Sequence, residues 1–195
     1  MKERPIIFSA PMVRAILEGR KMQTRRVVKP QSAVLTDAMA RWLGVQPPPN
    51  QNSPVIPCPY GQPGDRLWVR EAWKHIEGGA VYDAAGGIMD SHDPETIYRA
   101  SEPIRRGPWK PSIHMPRWAS RILLEVVSVR VELLKDISPA DCVCEGYYSP
   151  PGTRYAQEEL NALDWYRELW ESINGHGSWD ANPWVWVVEF KRVQA

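Results

Sequence analysis

A short stretch near the start of the chain combines the side chains that a small active site needs. Lys21 stands three residues before the hydroxyl of Thr24, and the basic pair Arg25 and Arg26 follows directly. Gly19 precedes them, where a helix would have to end. A threonine hydroxyl is a weak nucleophile that needs a base, and a lysine is a base only when it is neutral, against an ordinary pKa of about 10.4. The stretch therefore indicates either a small hydrolytic site or an anion-binding turn.

Hydrophobic periodicity predicts the elements that would position this stretch. A short strand at 6–8 leads into a helix that begins at Ser9 and ends at Gly19, and an extended segment follows at 24–28. Alternation and three- to four-residue spacing predict four further strands and two helices: strands at 67–72, 97–99, 121–134 and 184–193, and helices at 138–146 and 160–174.

Two long segments interrupt these elements. Residues 30–63 are rich in proline and are predicted as an elaborated loop with one helical turn near 38–43, and residues 76–95 are predicted as a second excursion. No internal repeat, low-complexity tract or domain boundary is evident. We therefore expect a single α+β domain over 1–195, built as a small barrel with flanking helices and long loop insertions.

Composition and charge exclude several classes of protein. The hydrophobic share of 43% and the charged share of 24% are ordinary globular values, and the net charge of +1 argues against a protein coated in basic charge. Three cysteines without zinc-like spacing and four scattered histidines predict no metal site and a reducing, cytoplasmic environment. The chain shows no signal peptide and no membrane span, so we expect no membrane partner.

The order of several motifs resembles the ASCH (activating signal cointegrator homology) domain family. The motifs are Gly19-Arg20-Lys21 with Thr24 and Arg26, Gly64-Asp65 before a strand, Glu145, and a last strand that contains Val188-Glu189-Phe190. The resemblance implies a PUA-like β-barrel, and over its full length the sequence looks like the ASCH proteins of temperate phages and prophages. The chain is nearly twice the minimal size, with insertions expected near 30–60, 74–110 and 147–160.

Small bacterial ASCH proteins include amidohydrolases that remove the acetyl group from N4-acetylcytidine. The resemblance implies Lys21 as proton acceptor, Thr24 as nucleophile and Glu145 as proton donor, with no metal or other cofactor. Met22 and Gln23 depart from the family motif, and together with the insertions they leave the substrate open. We expect a modified nucleoside or RNA as partner, while the oligomeric state stays open.

Four further residues are candidates for binding that substrate: Arg20, Arg26, Trp68 and Arg70. The guanidinium of Arg26 suits an oxygen held in a fixed direction, and an exposed tryptophan can stack on a base. For each tryptophan a place in the core is the simpler interpretation, and for Cys142 and Cys144 packing is more usual than a reactive thiol.

Two alternatives to catalysis by these residues follow from the same motif. Lys21 and Arg26 are also suited to binding an anion with Thr24 as a hydrogen-bond partner, which would make the chain a non-catalytic RNA- or nucleotide-binding module. Some ASCH proteins are reported to cleave RNA, so a ribonuclease is the third hypothesis. Glu145 alone would more often be a solvated carboxylate at a helix end.

Overall fold

A computed structural model describes residues 1–29, 31, 57–82, 88–92, 94–101, 108–149 and 155–193. Its elements are strands and a few helices mixed along the chain, which confirms the α+β class. Within these described residues there are nine strands: β1 (Glu3–Ile7), β2 (Gln23–Val27), β3 (Arg66–Arg70), β4 (Trp73–Ile76), β5 (Gly79–Tyr82), β6 (Ile88–His92), β7 (Glu95–Tyr98), β8 (Leu123–Leu133) and β9 (Trp184–Val193). The α-helices in the same part of the chain are α1 (Ala10–Leu17), α2 (Pro139–Cys144) and α3 (Tyr155–Asn174). Single 3-10 turns occur at Ser112–His114, Arg117–Ala119 and Leu134–Asp136.

Five strands form the main sheet, in the order β1-β3-β8-β9-β2. β1 and β3 are parallel, and the other neighbours are antiparallel. β4 pairs with β7 and β5 with β6 in two separate hairpin-like ladders. β1 and β2 are the outer strands of the main sheet, and within the described ranges no ladder joins them into a closed barrel. The α+β prediction is confirmed at this level, and PUA-like closure stays a prediction.

The main sheet separates two hydrophobic clusters. The residues of β9 alternate between them, because successive side chains on a strand point to opposite faces. Trp186, Val188 and Phe190 join the larger cluster with α1, while Val185 and Val187 join the smaller cluster with α2 and α3. The helices thus cover opposite faces, and a residue of β2 is assigned to a face by its partner on β9.

Because of a bulge, β8 contributes side chains to the larger cluster both before and after the bulge. Leu124 and Val126 before the bulge, and Val129 and Val131 after it, all lie in that cluster. The register against β9 shifts between Val126 and Ser128, which inserts one residue and restores the inward parity. Simple alternation along 121–134, as read from the sequence, could not show this shift.

The loop prediction for 76–95 is only partly met. β5 and β6 lie inside this segment, where glycine, aspartate and serine conceal the strand pattern. The prediction at 97–99 corresponds to β7, and the predicted helix at 160–174 begins earlier, at Tyr155. The helical turn predicted near 38–43 lies outside the described residues, as does most of the insertion predicted at 30–60.

Candidate active site

The turn after α1 carries Lys21 into the interior. Gly19 has a φ of 74°, a left-handed conformation that favours glycine, and the amides of Arg20 and Lys21 both donate to the carbonyl of Ala15. The predicted helix end at Gly19 is therefore confirmed. The next amide, that of Met22, donates to the carbonyl of Cys144 at 2.8 Å. The motif is thus fixed directly against the end of α2.

Glu145 follows α2 and meets Lys21 across 124 positions of sequence. Lys21 Nζ lies 2.6 Å from Glu145 Oε2 and also donates to the Glu145 backbone carbonyl at 2.9 Å. The Lys21 side chain is 0% exposed and the Glu145 side chain 3%. Gly146, with a φ of 109°, permits this approach, since a Cβ there would lie 3.2 Å from the Cβ of Ala15 and 3.5 Å from that of Lys21.

Burial makes the ammonium form of Lys21 costly. Desolvation lowers the pKa of Lys21 below its ordinary value of 10.5, and the attraction and hydrogen bond of Glu145 oppose this shift. The positive charges of Arg26 and Arg25 lower the pKa further. A lysine in this position is closer to a usable base than a lysine in water.

Arg25 holds the other oxygen of Glu145. Its guanidinium, also 0% exposed, lies 3.5 Å from Glu145 Oε1, 3.1 Å from Glu132 Oε2 and 3.3 Å from Asp141 Oδ2. Asp141 is itself tied to Ser138 in a capping box that begins α2. Arg25 therefore fixes the position of the Glu145 carboxylate and of the helix that carries it.

Thr24 and Arg26 lie on the opposite face of β2 from Arg25. Thr24 pairs with Val188 and Arg26 with Trp186, so both share the face covered by α1, and Thr24 is 3% exposed. Arg26 donates to the carbonyl of Ile7 at 2.7 Å, and its guanidinium carbon lies 5.4 Å from the ring centre of Phe8.

A cleft of about 520 Å³ opens at this point. It lies within the range of about 300–1,000 Å³ typical of small-molecule sites. Thr24, Arg25, Arg26 and Glu145 line it together, and Lys21, which does not line it, is hydrogen-bonded to Glu145. Its other described lining residues come from the ends of β1 and β2, from α1 and α3, and from loops: Ile7, Phe8, Ser9, Met12, Val27, Lys29, Tyr60, Ser112, Tyr166, Leu169, Trp170, Ile173 and Asn174.

Three polar atoms of cleft-lining residues lack a partner. The indole N–H of Trp170 and the Nε–H groups of Arg25 and Arg26 are buried and find no acceptor among the described residues. A smaller cleft of about 300 Å³ beside Lys2, Cys58 and Asp65 contains none of the predicted site residues. The larger cleft is therefore the candidate site.

The structure does not bring Arg20, Trp68 and Arg70 into the cleft. Arg20 donates to the carboxylate of Glu18 and to the Gly146 carbonyl. Buried and partly exposed residues alternate along β3. Arg70 lies over the Trp68 ring on the partly exposed side and donates a hydrogen bond to the Met115 carbonyl. Because alternate residues of a strand share a face, the sequence places Trp68 and Arg70 on the same side of β3. It does not show whether that side faces the cleft.

Several lining residues escaped the sequence analysis. Arg25 belongs to the motif, but the sequence does not show that Arg25, and not Arg26, contacts carboxylates. Only the structure shows those partners. The α3 residues Tyr166, Leu169, Trp170 and Ile173 follow helical spacing, which favours a helix face packed in the core, and Tyr166 and Trp170 do lie in the core. Nothing in the local sequence shows that the last turns of this helix line a cleft.

The cysteines and histidines show no competing site in the described ranges. Burial raises the pKa of the Cys142 thiol to about 12, and the pKa of Cys144 is also raised. These thiols are poor nucleophiles. No group of three or more His, Cys, Asp or Glu side chains suited to a metal ion is found in the same residues. No described helix is long and apolar enough to cross a membrane.

The fold and site define an α+β protein with a cleft lined by Glu145, whose carboxylate is paired with the buried Lys21. No protein-family model and no curated protein matches the sequence. Among solved structures, the chain is similar to the ASCH domain from Lactobacillus crispatus JV V101, with 14% identity over 98% of this chain and 79% of that chain. The TM-score is 0.35, so this likeness assigns no role to any residue.

Proposed function

We propose that this protein is an amidohydrolase that acts on an N4-acylated cytidine or a similar modified nucleoside. The observation that carries the proposal is the buried Lys21–Glu145 pair, whose carboxylate member lines the same cleft as Thr24. A buried ion pair is not needed for stability, since apolar residues of similar volume often replace one without loss. A threonine nucleophile needs a base, and the lowered pKa of Lys21, three residues before Thr24, suits that role.

In the first half of the reaction Thr24 Oγ1 attacks the acyl carbon. Neutral Lys21 accepts the hydroxyl proton, and Glu145 in its protonated form donates a proton to the departing exocyclic nitrogen as the C–N bond breaks. Cytidine leaves, and the acyl group remains on Thr24 as an ester. The pair has then changed from neutral lysine and carboxylic acid to ammonium and carboxylate, so charge and protons balance.

Water completes the cycle. Glu145 as a carboxylate accepts a proton from the water that attacks the ester, and the Lys21 ammonium returns its proton to Thr24 Oγ1. The carboxylic acid is released and the pair regains its first state. The short bond between Lys21 Nζ and Glu145 Oε2, at 2.6 Å, provides a path for equilibrating the two protonation states between turnovers.

The test follows cytidine release from N4-acetylcytidine by chromatography. We expect turnover by the wild-type protein, retention of part of it by Thr24→Ser and loss of it by the nearly isosteric Thr24→Val. Thr96→Ala serves as a matched control, because the Thr96 hydroxyl contacts His75 at 3.0 Å outside the cleft. A chelator should leave the rate unchanged. Equal rates for wild type and Thr24→Val would refute the threonine nucleophile.

Binding without catalysis is the second candidate function. It is favoured by the unpaired Arg26 Nε–H, together with Phe8, Lys29 and Tyr60 in the same cleft. Cations and aromatic rings suit the phosphates and bases of a single-stranded RNA or nucleotide. This reading predicts RNA binding that weakens with salt. Binding undetectable at low salt removes it, and shortening of labelled RNA over time would indicate a ribonuclease instead.

A further inference from the structure

The two walls of the cleft differ in chemistry. On the β1 and β2 side, the Arg26 guanidinium lies over Phe8, with Lys29 and Tyr60 nearby in the lining. On the opposite side, the last turns of α3 present Tyr166, Leu169, Trp170 and Ile173, which are apolar or aromatic and recur at three- and four-residue spacing. One side suits a polar ring system and the other an apolar group.

The rim of the α3 wall leaves apolar surface uncovered inside the cleft. Tyr166 and Trp170 are buried in the core cluster and support the helix from beneath. Leu169 is only partly buried, and Ile173 is 55% exposed although it lines the cleft. Neither is needed to complete the core in the way that Trp170 is. Apolar surface of this kind gains free energy when an apolar ligand group covers it.

We propose that Leu169 and Ile173 form a specificity-determining subsite for a large apolar acyl group, branched or aromatic, on the N4 nitrogen. The acyl group packs against the α3 wall, and the pyrimidine faces Phe8 and Arg26. The inference rests on the proposed function. It goes further by predicting that acetyl, a two-carbon group, is a poorer substrate than a larger acyl group, because acetyl leaves Ile173 exposed.

The size of the effect follows from hydrophobic pockets in general. One methylene there changes kcat/KM by roughly 10–200-fold when it is fully enclosed. The rim is partly open, so we expect the lower end of that range for the whole acyl group. Wild-type kcat/KM for N4-benzoylcytidine or N4-isobutyrylcytidine should exceed that for N4-acetylcytidine by roughly tenfold.

The experiment measures the ratio of kcat/KM for N4-benzoylcytidine to that for N4-acetylcytidine in three variants. Ile173→Ser and Leu169→Ser should each lower the ratio severalfold. Leu160→Ser is the matched control, because Leu160 is 59% exposed on the same helix and does not line the cleft. It should leave the ratio unchanged. A wild-type ratio of one or less overturns the subsite, as does a ratio that Ile173→Ser and Leu160→Ser change equally.

A second measurement separates failure of the subsite from failure of the proposed function. Calorimetric binding of both compounds is measured with Thr24→Val, which needs no turnover. Tighter binding of the benzoyl compound, lost in Thr24→Val/Ile173→Ser, supports the subsite even if no acylcytidine is hydrolysed by the wild-type protein. Hydrolysis of acetyl- and benzoylcytidine at equal rates, with equal binding, leaves the amidohydrolase in place and refutes the subsite. Binding of neither compound refutes both.

Discussion

Glu145 and Glu71 are both buried and each is paired with a cation, but the two cations differ in the chemistry open to them. Glu145 pairs with Lys21, whose side chain is 0% exposed. Glu71, with a side chain 2% exposed, pairs with Arg121 through both of its carboxylate oxygens, at 2.9 and 3.1 Å. Burial raises the pKa of Glu71, as it lowers that of Lys21.

The Glu71 pair has the geometry of a fixed structural contact. Arg121 also donates to Ser101 and lies 3.9 Å above the ring centre of Tyr98, and a guanidinium does not lose its proton in a protein. Neither Glu71 nor Arg121 lines the candidate cleft. Burial and pairing alone therefore do not mark a site. The combination of an exchangeable proton, a hydroxyl and an open cleft distinguishes Lys21 and Glu145.

The strongest test of this difference exchanges the type of cation at each pair. Lys21→Arg keeps the charge but removes the base, so turnover should fall by about 10²–10⁴-fold while ligand binding is largely retained. Arg121→Lys should leave turnover unchanged. Cytidine release and calorimetric binding give the two readouts. An active Lys21→Arg protein would rule out lysine as the base, and on the binding-only hypothesis this substitution is nearly silent.

The stability of variants at Lys21 and Glu145 tests whether this pair is a structural contact. Lys21→Met leaves the buried Glu145 carboxylate with Arg25 as its remaining cation, 3.5 Å away, and should cost up to about 3–5 kcal/mol of unfolding free energy. Lys21→Met/Glu145→Leu should recover much of this loss, because no buried carboxylate that has lost its hydrogen-bonded ammonium remains at that position. Both are measured by urea unfolding. A double variant as unstable as the single one would show that the pair itself stabilises the fold.

The pH dependence separates the two pairs in a third way. In the proposed reaction the pair starts as neutral Lys21 and protonated Glu145, which together carry the same single proton as the ammonium–carboxylate form. kcat/KM should therefore be largely independent of pH just below the lowered pKa of Lys21, and should fall by up to tenfold per pH unit once that proton is lost, beginning before pH 10.5. In the same window the unfolded chain still binds a proton that the folded chain has lost, so the contribution of Lys21 to the free energy of unfolding rises with pH. The pH dependence of the difference in unfolding free energy between wild type and Lys21→Met isolates this contribution. A kcat/KM that keeps rising through this window contradicts a pair that works with one shared proton.

The smallest effect concerns the cation on the other face of β2. Arg26→Lys loses the planar fork that contacts Ile7 and Phe8, and should weaken ligand binding by about 0.5–1.5 kcal/mol, roughly twofold to tenfold. Turnover should fall with it. Arg192→Lys is the control, since Arg192 contacts the Leu17 carbonyl outside the cleft. Equal affinity in wild type and Arg26→Lys would show that Arg26 serves only the fold.

Local patterns predicted most elements because their causes are local. The helix from Ser9 to Gly19, the long strand near 121–134 and the last strand at 184–193 depend on capping, a left-handed glycine and alternation. The bulge in β8 and the strands β5 and β6 were not predicted, since they depend on partners rather than on their own residues. The parallel pairing of β1 with β3 is of the same kind.

The features of the candidate site can be divided in the same way, into those that follow from the local sequence and those that depend on residues distant in the chain. Local sequence alone places Lys21, Thr24 and Arg26 within seven residues of Gly19, where the helix ends, because a glycine turn and a short strand hold them together. Only the tertiary structure decided that Glu145, 124 positions away, meets Lys21, that Arg25 rather than Arg26 holds its carboxylate, and that α3 forms a wall of the cleft. Strand alternation fixes which residues share a face, but burial of the whole sheet between its helices fixes what each face meets.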